Sequence, residues 1–150
     1  MSNVMTSLIA PHPFGHDITD AGLTEQFGQF RHWEERYRQL ILLSRKLPAL
    51  PETLKTPENE ISGCENRVWL GSQRLDDGTF HFYGDSEGRI VKGLLAVMLT
   101  VCEGKTASEL SGVDPLAIFD RLGLKEQLSA SRSSGLEALA AAIHRIARSA

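Results

Sequence analysis

The stretch 89–103 constrains this chain more than any other. It holds Ile90, Val91, Leu94, Leu95, Val97, Met98, Leu99, Val101 and Cys102. At the helical repeat these residues cover most of a circumference. A helix apolar on nearly all sides has no face to give to water, so it must be the central element on which others pack. Gly104 follows as a natural stop, because glycine enters the left-handed conformation that ends helices at no steric cost.

Helical spacing recurs on both sides of this segment. Over 33–47, Trp33, Tyr37, Leu40, Ile41 and Leu47 share one face, charges at Glu34, Glu35, Arg38, Arg45 and Lys46 populate the other, and Pro48 ends the run. Thr19 or Asp20 caps a short helix to Phe27. Two more short helices are expected at 106–110 and 115–122, the second begun after Asp114 and stopped by Gly123. The last helix carries Leu136, Leu139, Ala140, Ile143, Ile146 and Ala147. Its start is open between a Ser129 cap and a Ser134-x-x-Glu137 capping box.

In the middle the period shortens. Segments 66–75 and 79–83 flank Asp76-Asp77-Gly78, a hairpin signal. Phe80 and Phe82 would point one way, His81 and Tyr83 the other, with Gly84-Asp85-Ser86 closing the strand and capping the next helix. The expectation is an α+β fold: a small antiparallel sheet packed against helices. Residues 1–18, with Pro11, Pro13 and Gly15, read as an irregular or mobile arm of a single domain spanning 1–150.

At 150 residues the chain buries enough surface to fold without a staple. A net charge of −3 lacks the clustered basic excess that nucleic acid demands. No apolar run reaches the ~18 residues of a membrane span. Met1 to Ala10 has neither the basic start nor the long apolar stretch of an export signal, so the expected compartment is the cytoplasm. Two cysteines make neither a disulfide framework nor a CxxC pair. His12-x3-His16 is interrupted by Pro13 and Gly15 with no third ligand near it in sequence, so no metal site is expected.

The two cysteines differ in setting. Cys102 shares a helical face with Leu95 and Met98 and reads as a small buried hydrophobe. Cys64 lies in Ile61-Ser62-Gly63-Cys64-Glu65-Asn66-Arg67-Val68-Trp69, between a proline-rich turn region and the first strand. Gly63 frees the backbone to reorient the side chain that follows. Sulfur chemistry needs the thiolate, which Arg67 would favour and Glu65 would oppose. Spacing alone leaves the reactivity of Cys64 open.

The same stretch resembles the signature of the SufE/CsdE family of sulfur acceptors for cysteine desulfurases. Further matches are Trp33-Glu34-Glu35-Arg36-Tyr37, Leu47-Pro48-Ala49-Leu50-Pro51, the block from Gly84-Asp85-Ser86-Glu87-Gly88 to Lys92-Gly93-Leu94, and Leu128-Ser129-Ala130-Ser131-Arg132. Glu65-Asn66-Arg67 after the cysteine and His12-Pro13-Phe14-Gly15 near the start are similar to the CsdE branch. The resemblance implies a fold like that of the iron–sulfur scaffold proteins. It makes Cys64 the residue that accepts sulfane sulfur, with Gly63, Arg67 and Arg132 supporting it and Asp85 and Glu87 at the partner-facing surface. It implies a CsdA- or SufS-like desulfurase as donor, with pyridoxal phosphate on that partner and none on this chain. It also implies a downstream acceptor serving iron–sulfur cluster assembly or another sulfur pathway. Two rivals remain: a non-covalent adaptor that activates the desulfurase, and a Cys–His hydrolase using His81 as base.

Overall fold

Helix α1 (Asp20–Gly28) starts where the Thr19 hydroxyl accepts the Gly22 N–H, satisfying an otherwise orphaned donor of the first turn. A computed structural model describes residues 8–62 and 66–149. Helix α2 (Trp33–Lys46) begins with the Glu35 carboxylate accepting the N–H groups of Arg31 and His32. It ends one residue before Leu47-Pro48, since the residue preceding proline is pushed out of helical geometry. Strands β1 (Val68–Arg74) and β2 (Phe80–Ser86) pair antiparallel, Val68 opposite Ser86 and Arg74 opposite Phe80. Gly78 takes φ +85° in the turn between them. Helices α3 (Arg89–Cys102), α4 (Ala107–Ser111), α5 (Ala117–Arg121) and α6 (Ala130–Arg148) complete the order, with single 3₁₀ turns at Glu52–Leu54 and Lys125–Gln127. The architecture is α+β, as expected.

Helix α3 is the hub. Leu94, Leu95, Val97, Met98, Leu99 and Cys102 are each at most 1% exposed, and α1, α2, β2, α5 and α6 all pack on it. The closest approach is at Gly93, where a β-carbon would overlap the Leu40 carbonyl of α2. That contact also fixes the rotation of α2 and corrects its expected face. The buried stripe is Leu40, Leu43, Ser44 and Leu47, while Trp33 is 47% exposed and meets Tyr37 edge to face. Helix α6 takes the earlier start, Ser129 accepting the Arg132 N–H.

The second strand is longer than the expected 79–83 and is enclosed on both faces. Every residue of β2 is buried, and the strand runs on through Gly84-Asp85-Ser86. Phe80 and Phe82 join the main core, and Tyr83 joins Trp69 and Leu50 in a second cluster. Residues 8–18 are irregular, yet they pack across β2: Phe14 is fully buried, and the His12 Nε2–H donates to the Phe82 carbonyl at 2.7 Å. His81, on the face opposite Phe80 and Phe82 as the alternation requires, is wholly enclosed.

Candidate functional site

Gly63, Cys64 and Glu65 lie outside the described residues, and the site is read from what frames them. Residues 59–61 run antiparallel beside the outer edge of β1: the Ile61 N–H donates to the Val68 carbonyl at 2.9 Å, and the Leu70 N–H to the Asn59 carbonyl at 2.8 Å. The first of these bonds closes the base of the loop in which Cys64 stands. On the return side the Arg67 carbonyl accepts from the Ser86 hydroxyl at 2.8 Å and the Glu87 N–H at 3.1 Å. Asn66 lies against Gly88, the residue immediately before α3. The loop is thus anchored to β1 and to the N-terminal end of the central helix.

Arg67 does not offer a free positive charge. Its guanidinium grips Glu60 with two bonds of 3.1 and 3.0 Å and sits 4.9 Å from the Trp69 ring centroid. This pairing holds the Glu60 carboxyl below its ordinary range and raises Arg67. Both groups are solvent-exposed, so the pair acts chiefly as a brace at the foot of the loop.

Asp85 corrects an expectation. The family resemblance puts it at the partner-facing surface, yet it is 4% exposed. Its carboxylate accepts the Leu50 N–H at 2.9 Å, the Ser86 N–H at 2.8 Å and Lys92 Nζ at 3.0 Å, with Lys55 Nζ at 3.6 Å. Burial alone would push its pKa up; these donors outweigh burial and hold it down. Asp85 ties the end of β2 to the chain after α2 and to the first turn of α3. Glu87, its neighbour in the motif, is exposed and stays available to a partner.

Arg132 is half-buried, donating to the Tyr37 hydroxyl at 3.2 Å, with its Nε enclosed and unpaired. Its aliphatic stem lines a small apolar pit with Val91, Leu94 and Leu136. Val91 is three residues beyond Gly88, so Arg132 stands at the same end of α3 as the loop base. On the loop's other flank opens a groove of about 960 Å³ between β1 and α6, with Ser62 on its rim.

Sequence reasoning missed a buried polar cluster. The Glu103 carboxylate accepts His81 Nδ1–H at 2.6 Å, the Phe82 N–H at 2.8 Å and His16 Nε2–H at 3.0 Å, while His81 Nε2–H donates to the Ile9 carbonyl at 2.6 Å. Acceptors at both nitrogens favour the protonated ring of His81. Burial works against that charge, but Glu103 and the carbonyls prevail and raise its pKa; Glu103 is likewise lowered despite its burial. His12 is lowered by burial.

Ligand atoms of His12, His81 and Glu103 come within 4.8 Å of one another, close enough to suggest a metal. The proton positions argue against one. His12 Nδ1 accepts the Phe14 N–H at 3.1 Å, so Nε2 carries the proton and no lone pair remains. Nor can His81 serve a hydrolase as base, since neither nitrogen is free to take a proton. The cluster pins residues 9–16 over β2. No sequence spacing links positions 12, 16, 81 and 103; only a buried carboxylate at the end of an apolar helix hinted that partners would be needed.

Cys102 is fully buried, and burial pushes its thiol pKa up to about 12, which leaves it inert at neutral pH.

A family model described as SufE, an Fe-S metabolism associated domain, matches residues 21–147. The chain is 60% identical over 134 residues to the sulfur acceptor protein CsdE of Escherichia coli K12, covering 89% of this chain and 91% of that one. It is 39% identical over 120 residues to a SufE-like protein of Rhizobium meliloti strain 1021, covering 78% and 86% respectively. The solution structure of a hypothetical protein from Thermus thermophilus shares the fold at 20% identity, with a TM-score of 0.69 over 87% of this chain and 93% of that one.

Proposed function

The chain belongs to the SufE family, and on that premise we propose that it is a sulfur acceptor whose Cys64 takes sulfane sulfur from a cysteine desulfurase and relays it to a downstream acceptor. The observation that carries this reading is the 60% identity, over nearly the whole chain, to a protein named as a sulfur acceptor.

The transfer is a displacement at sulfur. The Cys64 thiolate attacks the terminal sulfur of the donor's cysteine persulfide, and a new S–S bond forms to Cys64. The donor's S–S bond breaks, its electron pair leaves with the donor thiolate, and the transferred sulfur keeps its proton. No oxidant is consumed. Pyridoxal phosphate, which frees sulfur from L-cysteine, belongs to the donor. This chain supplies an anchored loop base at Ile61 and Arg67 and a second thiol too deeply buried to compete. Arg132, at the same end of α3 as the loop base, is the cation we assign to favouring the thiolate, because Arg67 is matched by Glu60.

The test is mass spectrometry after incubation with desulfurase and L-cysteine. The Cys64 peptide should gain one or more sulfur atoms, about 32 Da each, and the Cys102 peptide none. Cys64→Ser should abolish transfer. A Cys64→Ser protein that still stimulates the desulfurase fully would instead support the adaptor reading.

A further inference from the structure

The outer edges of the two-stranded sheet are treated differently. Along β2 the edge is closed: the Phe80 N–H donates to Lys105, its carbonyl accepts the Gly104 N–H, and Phe82 gives its N–H to Glu103 and its carbonyl to His12. Along β1, residues 59–61 cover only the first half. Because the Leu70 N–H points outward to Asn59, the two-residue repeat turns the N–H and carbonyl of Ser72 outward as well. The register agrees, since Phe82 opposite Ser72 spends both of its backbone groups on the far edge. No described residue takes the outward groups of Ser72.

This open edge borders the groove between β1 and α6. Ser72 and Arg74 line it from the strand, Ala138, Ala141 and Arg145 from the helix, and Ser62 stands at its rim, two residues before Cys64. The helix wall combines the small Ala138, Ala141 and Ala142 with the larger Arg145 and Ile146. An extended backbone is the ligand that matches such an edge: it would pair with Ser72 and place alternate side chains into the groove over α6. Arg74 and Arg145 share the lining with Glu58 and Glu60, so the groove is balanced in charge and its occupant is set by place: a segment seated there reaches Ser62, two residues before Cys64.

We propose that the β1 edge and this groove receive an extended segment of the sulfur-donor protein as a third strand, bringing the donor's persulfide to Ser62, two residues before Cys64 in the chain. The proposal rests on Cys64 being the acceptor.

Two variants test it. Ser72→Pro removes the outward N–H at a position where β1 donates no bond. Ala141→Glu, at an exposed position of α6, fills and acidifies the groove without touching the core. Each variant is loaded with sulfur in two ways: by the desulfurase with L-cysteine, and by inorganic polysulfide, which needs no docking. The expected result is a fall of about tenfold or more in the rate of transfer from the desulfurase at subsaturating acceptor, about 1.4 kcal/mol of docking, with polysulfide loading of Cys64 at the native rate. If Ser72→Pro fails to fold, Ala141→Glu decides alone. Native-rate transfer from the desulfurase by Ala141→Glu overturns the proposal. So does a native dimer that Ser72→Pro splits into monomers with transfer unchanged, since a second copy then occupies the edge. Failure of the native protein to take sulfur on Cys64 from either donor overturns the acceptor reading itself.

Discussion

Replacing Glu103 by glutamine removes one charge from a site with a side-chain exposure of 2% and changes almost nothing in shape. Three donors converge on the carboxylate: His81 Nδ1–H, the Phe82 N–H and His16 Nε2–H. Glutamine keeps one acceptor oxygen but turns an NH₂ group toward another donor. Breaking a buried ion pair costs about 3–5 kcal/mol when the orphaned charge must stay. His81 can instead release its proton, so the loss should settle nearer 2–3 kcal/mol, the worth of one or two charge-assisted hydrogen bonds. For 150 residues at ~2.1 cal/mol/K each, the unfolding entropy is about 0.3 kcal/mol/K, which converts that loss into a drop of roughly 6–10 °C in Tm.

The pH dependence gives a second readout. The folded pKa of His81 is raised, so its contribution is full below the ordinary value of 6.5 and is lost as the pH rises through the folded value. That of Glu103 is lowered, so its contribution is present above 4.5 and lost as the pH falls through the folded value. His12, lowered by burial, takes stability away as the pH falls below 6.5. Loss of the Glu103 charge, which raises His12, lowers it further in the variant, so His12 adds to the native-minus-variant gap below pH 6.5. Thermal melts by circular dichroism across pH 4–9 should show the native-minus-variant gap widest between the ordinary values of 4.5 and 6.5 and narrower in alkali. Melts that coincide within about 2 °C near pH 6 would refute a charged His81 held by Glu103.

Three further outcomes follow from the packing. Gly93→Ala drives a β-carbon into the Leu40 carbonyl and should cost about 1–3 kcal/mol or more in urea unfolding, despite the better helix propensity of alanine. Asp85→Asn keeps an acceptor for the Leu50 N–H but strips Lys92 of its partner. It should lose about 1.5–3 kcal/mol at neutral pH, and the loss should vanish as acid protonates the native aspartate, again by denaturant melts. Cys102→Ser puts a hydroxyl among apolar neighbours and should cost about 1–3 kcal/mol while sulfur transfer persists, and native Cys102 should resist alkylation at pH 8 until the protein unfolds.

Periodicity and punctuation determined the elements of this protein. The nearly all-apolar run around Leu94 and Leu99 could only be a central helix, Asp77-Gly78 could only be a tight turn between strands, and Gly104 and Gly123, at φ +78° and +71°, end their helices where glycine was expected to. Cys102 was legible as a buried residue for the same reason, because it shares a helical face with Leu95 and Met98. Which face of α2 is buried was not legible, since it depends on where Gly93 lets the helix approach. The place of Asp85 was hidden as well: a carboxylate in a turn-like motif looks exposed until Leu50, Lys55 and Lys92 are brought around it by distant parts of the chain. The enclosure of His81 was hidden too, because nothing local predicts that residues 9–16 will cross over it. The open edge of β1 is likewise a fact of tertiary structure. Hydrogen bonds between strands join residues far apart in sequence, and a backbone group left without a partner leaves no mark on the order of the side chains.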